Sequence, residues 1–233
     1  MGLKDIELKK TYFSDFDDIL NDFYIPVLSN SIEYNRMAGF FSSSSLAVAA
    51  RGIVGLIKNN GKMNLIVSPR LSKQDIDIIM KSKEGPESYI EKKMLDNLDE
   101  LENEFVRDHV SALGWMIANN KLDIKIAILY DNLGNILDYE EIEEKGLFHP
   151  KVGIFKDSEG NMVSFSGSVN ESEFGWKENI EEFKVFKNWE ETELEYLNGD
   201  IQKFDRIWNN NASRIKVMGV PKAVQNKMIK IAP

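Results

Sequence analysis

What most narrows the fold of this chain is the alternation of two hydrophobic periods along it. Residues 32–41, IEYNRMAGFF, read as a strand that ends in a serine-rich turn. Across 45–58, apolar residues fall at Leu46, Ala49, Ala50, Ile53, Leu56 and Ile57, the spacing of one helix face. The polar run Asn59-Asn60-Gly61 stops that helix. MNLIVSP at 63–69 is a short apolar run of the buried-strand type. Ser72 followed by Asp75 resembles a capping box, opening a helix to about residue 83. After Gly85-Pro86, a long acidic amphipathic helix is predicted to about residue 118. LDIKIAILY at 122–130 reads as a strand, and the acidic stretch 138–145 as a loop.

The second half changes character. GLFHPKVGIF at 146–155 and NMVSFSGS at 161–168 are predicted strands joined by a turn over 156–160. IEEFKVFKN at 180–188 alternates like a third strand, and 190–208 reads as a helix. Strands separated by helices, then a strand cluster, indicate an α/β fold with a mixed sheet flanked by helices. No internal repeat is visible. The expected division is one domain over 1–208, then a basic segment, 209–233, that in a longer parent protein would lead to a further domain.

Composition excludes several chemistries. The chain has 233 residues with 42% apolar, enough for a real core. It has no cysteine, which removes disulfides, thiolate catalysis and cysteine-ligated metals. Its only histidines are His109 and His149, too few for a histidine-built metal site, so no cofactor or metal is expected. No apolar run approaches the roughly 18 residues of a membrane span, and the first residues lack a signal peptide's apolar stretch. A cytoplasmic protein with no membrane partner is expected. The net charge of −9 argues mildly against nucleic acid, yet its distribution is uneven. Residues 201–233 carry seven basic residues against the single acid Asp205, a local +6 that leaves −15 on residues 1–200. The acidic runs 84–104 and 138–144 read as solvated faces or loops.

The segment 148–183 carries the chemistry. It contains His149-x-Lys151, Gly167-Ser168-x-Asn170 and Asn179-x-Glu181. His149 and Lys151 are two apart, so on a strand they project from one face, and the next strands bring Ser168, Asn170 and Glu181 beside them. A neutral imidazole can attack phosphorus and split a hard displacement into two easier ones. A lysine and an amide can donate to the non-bridging oxygens as charge builds there. A carboxylate accepting from the far ring nitrogen fixes the tautomer. With each residue type near about 5%, five fixed identities at this spacing coincide by chance on the order of 10⁻⁷ per start.

This pattern resembles the HKD motif of the phospholipase D superfamily, H-x-K followed by G-S/G-x-N and a downstream glutamate. It is most similar to the prokaryotic nuclease branch, which includes metal-independent restriction endonucleases of the BfiI type and the PLD-like modules that precede helicases. The opening YNRMAGFF…GKMNLIVSP, 34–69, resembles those helicase-associated modules as well. The resemblance implies a phospholipase D-like fold with His149 as nucleophile, Lys151 and Asn170 as phosphate ligands, Ser168 as an auxiliary donor and Glu181 as the orienting carboxylate. Glu182 is the alternative carboxylate, with the spacing from Asn179 favouring Glu181. One departure is plain. The full motif places aspartate five residues after the lysine, where this chain has Lys156, and Asp157 comes one residue late.

Enzymes of this kind use two histidines, and one motif supplies only one. His109, predicted mid-helix beside Arg107 and Asp108, is read as having no catalytic role. The resemblance and the count therefore imply a homodimer that brings two His149 copies to one phosphate. The expected activity is a metal-independent DNA nuclease of restriction or phage-defence type, with a helicase or specificity domain as a possible partner. The alternatives are a phospholipase or phosphatidyltransferase, and a catalytically silent nucleic-acid-binding module. The basic segment 201–233 is expected near the cleft, and Arg36 and Arg70, each near a strand end, are candidates to line it.

Overall fold

The apolar runs form the middle of an eight-stranded mixed sheet in the computed structural model, which describes residues 2–40, 50–81, 86–99, 104–144, 151–169 and 181–231. In chain order the strands are β1 (Thr11–Phe13), β2 (Glu33–Phe40), β3 (Lys62–Ser68), β4 (Leu122–Leu129), β5 (Val152–Lys156), β6 (Met162–Val169), β7 (Glu181–Lys187) and β8 (Ile215–Gly219). They lie in the order β1-β7-β6-β5-β2-β3-β4-β8. The β2–β3 and β3–β4 pairs are parallel and every other pair is antiparallel. Parallel pairs need helical crossovers, which is why helices follow β2 and β3, whereas β5 and β6 join by a tight turn. The α/β class expected from the periodicity is the one observed.

Both faces of the sheet are covered. On one, Phe23 meets Phe155, Phe165 and Phe183 with ring centroids 5.8, 5.7 and 4.9 Å apart. The helices α4 (Pro86–Asp99), α5 (Glu104–Ala118) and α8 (Lys222–Ile231) extend that core through Met94, Leu113, Met116, Val224 and Met228. On the other, α6 (Tyr139–Glu144) and α7 (Leu194–Trp208) lay Ile142, Phe204 and Ile207 over Met37, Ile66, Val152 and Ile154. Each such side chain contributes roughly 1.5–3 kcal/mol on burial.

Several boundaries depart from the periodicity. Of the helix expected over 45–58, residues 45–49 lie outside the described residues, 50–52 form a turn, and α2 (Ile53–Lys58) follows it. Gly52 is left-handed at φ 71°, and a Cβ there would stand 3.0 Å from the backbone of Tyr24. Close passage of α1 (Ile25–Ser29) and the π-turn before it thus fixes the start of α2. The acidic stretch 86–118 forms two helices, with 100–103 outside the described residues. The predicted capping box opens α3 (Lys73–Lys81), where the Ser72 N–H donates to Asp75 at 2.7 Å and the Asp75 N–H to Ser72 Oγ at 3.2 Å. The stretch 138–145, expected as a loop, holds α6. Asp138 caps it by accepting the Glu141 N–H at 2.9 Å.

Two segments join the core without having announced it. The first thirty residues contribute β1 and the buried Leu3, Tyr12 and Phe23. The segment 209–233 supplies β8, paired to β4, and α8, whose Val224 and Met228 are buried in the main core. No described helix is long and apolar enough to cross a membrane.

Candidate active site

The motif strands β5, β6 and β7 are sheet neighbours, and their register brings three motif positions to one end of the sheet. Val152 pairs with Ser166 and with Met37, so Lys151 stands just outside β5, beside the C-terminal end of β2. Ser168 pairs with Glu182, and Val169 with Glu181, at the adjoining ends of β6 and β7. Lys151, Ser168 and Glu181 therefore share that end, where β2, β3 and β4 also finish. His149 and Asn170 lie outside the described residues. Lys151 is 7% exposed, an unusual burial for a cation that needs its charge balanced nearby.

Glu182 is exposed and lies 3.0 Å from Lys184 in an ion pair on the sheet surface. Arg70 lies at the same sheet end, its guanidinium over the Tyr139 ring at 4.7 Å.

Arg36 stands one row further in. It pairs with Gly153 and is wholly buried, with its guanidinium over the Phe165 ring at 4.8 Å. With none of its surface exposed, it lines no open cleft among the described residues. Gly153 makes that arrangement possible: a Cβ there would overlap the Phe165 ring. Gly167 allows a second close approach, since a Cβ would overlap the carbonyl of Glu182 on β7. Burial pushes the neighbouring Tyr34 phenol up to about 12, against the lowering influence of the Arg36 charge. The row Arg36–Gly153–Phe165 was not foreseen. An isolated glycine between Val152 and Ile154 is the signal that could have found it, because a strand glycine often marks a close approach.

Asp157 proves to be a structural residue at the far end of β5, about 20 Å along the strand from Lys151. Its carboxylate accepts N–H groups of Leu3 at 2.9 Å, Glu159 at 2.9 Å and Asn161 at 2.8 Å, and the Asn161 side chain at 2.8 Å. Burial raises its pKa, but these donors outweigh that and hold it below the ordinary 3.8. It closes the β5–β6 turn and ties down the N-terminal segment. His109 lies within α5, away from the motif strands. Among the described residues, no group of three or more His, Asp or Glu side chains is placed to hold a metal ion.

No family model matches the sequence, and no curated protein is similar to it. Among solved structures, the phosphatidylserine synthase of Haemophilus influenzae Rd KW20 resembles the chain at 13% identity and a TM-score of 0.44. The match covers 94% of this chain and 44% of that one, so the chain spans less than half of the relative's length. A likeness of that size decides neither substrate nor activity.

Proposed function

We propose that the chain is a metal-independent phosphodiesterase of the phospholipase D type, acting on DNA through a covalent phosphohistidine at His149. The observation that carries the reading is the single sequence segment holding His149-x-Lys151, Gly167-Ser168-x-Asn170 and Glu181, of which Lys151, Ser168 and Glu181 stand at one end of three neighbouring strands. His149 attacks phosphorus, a P–N bond forms, and the P–O bond to the leaving group breaks. A second imidazole protonates the leaving oxygen, then takes a proton from the water that hydrolyses the phosphohistidine. Lys151 and Asn170 hold the charge on the non-bridging oxygens, with Ser168 as a further donor. Glu181 accepts from the far nitrogen of the His149 ring and fixes its tautomer.

The second imidazole is His149 of a second copy in a two-fold dimer. Lys156 in place of the motif aspartate weighs against the lipid-cleaving branch more than the nuclease branch. The test is incubation with linear and supercoiled DNA, and with phosphatidylglycerol vesicles, all in EDTA. DNA scission supports the reading. Lipid turnover without DNA scission replaces it with phosphatidyl transfer or lipid hydrolysis, and no turnover of either leaves a binding module.

A further inference from the structure

We infer that the C-terminal half of α7 and the loop before β8 form a docking groove for the phosphate backbone of a nucleic acid, separate from the catalytic end of β5–β7. The inference rests on the nuclease reading for its choice of ligand. The groove is a cavity of about 610 Å³ walled by Gln202, Lys203 and Arg206 on one side and Asn211 and Ser213 on the other. Positions 199, 202, 203 and 206 recur at helical spacing and so line one stripe of α7. No carboxylate lines the cavity. Two acids on that helix flank the stripe without lining the cavity: the exposed Asp205, next to Arg206 in sequence, and Asp200, which accepts from Ser164 Oγ at 2.7 Å and feels the Lys203 charge. Lys203 and Arg206 are both exposed, and neither is in an ion pair among the described residues. Cations, amides and a hydroxyl without a carboxylate are the donor set that phosphate oxygens take.

The groove is also held in shape. Asn210 at φ 59° ends α7 in the left-handed conformation. Its side chain donates to the Val217 carbonyl at 3.0 Å and accepts the Val217 N–H at 2.7 Å, which pins the loop to β8. Arg214 Nε donates to the Tyr130 carbonyl at 3.0 Å, fixing the other end. A wall ordered in advance loses little entropy on binding.

The groove also opens toward the sheet end of the proposed site. Ile215 pairs with Leu129 at the C-terminal end of β4, so the loop reaches the sheet end that carries Lys151. Four strand spacings, β5-β2-β3-β4-β8, separate them, about 20 Å. That is the span of about six base pairs. A second cavity, about 370 Å³ at the start of β3 and β4, sets Asp123 between Lys62 and Lys121, so a carboxylate there opposes a phosphate.

The test reverses charge at two exposed helix positions, Lys203→Glu with Arg206→Glu, and in a milder pair uses glutamine at both. Binding of a labelled 20-base-pair duplex is followed by anisotropy in EDTA across a salt series, beside hydrolysis of bis-p-nitrophenyl phosphate. Loss of two phosphate contacts lowers the slope of log K against log salt by about two and weakens binding by at least about tenfold near 0.15 M salt. Hydrolysis of the small diester is expected to stay at the wild-type rate. The glutamine pair is expected to move in the same direction by a smaller amount. An unchanged affinity and slope in both pairs overturns the groove. So does an equal loss from Lys58→Glu with Lys62→Glu at the other end of the sheet, which would reduce the effect to overall charge. Binding of the wild type to phosphatidylserine vesicles but not to DNA overturns it as well. Groove-dependent DNA binding in a protein that hydrolyses no diester would sustain the groove and reject the phosphodiesterase.

Discussion

In the proposed mechanism, some polar groups of segment 148–183 act on phosphorus, while others hold strands. His149→Ala is expected to cut diester turnover by several decades, and a variant keeping more than about a tenth of the wild-type rate would contradict the nucleophile assignment. Lys151→Met keeps an apolar stem in a buried position, so folding is expected to survive while turnover falls by about two to three decades. Circular dichroism separates that outcome from unfolding. Asp157 belongs to the second group. Its folded pKa lies below the ordinary value, so its contribution is present above about pH 4 and lost as pH falls through the lowered value. Asp157→Asn is expected to cost about 3 kcal/mol at neutral pH, because several donors lose a charged acceptor. Melting curves of wild type and variant should converge as pH falls below about 4 and through the lowered pKa. A constant gap across that range would contradict the assignment.

At the scale of elements, two glycines set how tightly the motif strands approach. Gly153→Ala meets a ring and is expected to cost about 1–3 kcal/mol. Gly167→Ala meets the backbone of β7 and should cost more, because a strand cannot step aside as a side chain can. Urea midpoints of the two variants check the order. The same elements show what the sequence reveals by itself. Strands β2, β3, β4, β6 and β7 were legible because each buries a continuous or alternating apolar run. Of the motif, the described residues bring only Lys151, Ser168 and Glu181 to one sheet end, while His149 and Asn170 lie outside them. The start of α2 was not legible, since it depends on Tyr24 passing Gly52, a contact from another part of the chain. Helix α6 was hidden by its charge, and its stability rests on one capping aspartate and the buried Ile142. The burial of Arg36 was equally invisible, because only the assembled sheet puts Phe165 over it.

At the scale of the whole molecule, the basic segment 201–233 has two duties that charge alone could not separate. Val220, Val224 and Met228 are core residues, so deleting 212–233 is expected to unfold the protein rather than trim a tail. Loss of cooperative thermal unfolding in the truncated chain is the outcome that checks this. The active protein is expected to sediment as a dimer at micromolar concentration, not as the 26.7 kDa monomer. A mixed dimer of wild type and His149→Ala should be inactive, since its one shared site lacks an imidazole. The central claim concerns the bond that forms at phosphorus. Its most direct test is rapid quenching of the protein with a ³²P-labelled diester in EDTA, followed by mapping of the label. The account predicts an acid-labile, base-stable phosphoryl group on the peptide containing His149, absent from His149→Ala and decaying at the rate of turnover. Turnover that requires a divalent metal and leaves no label on that peptide would contradict it.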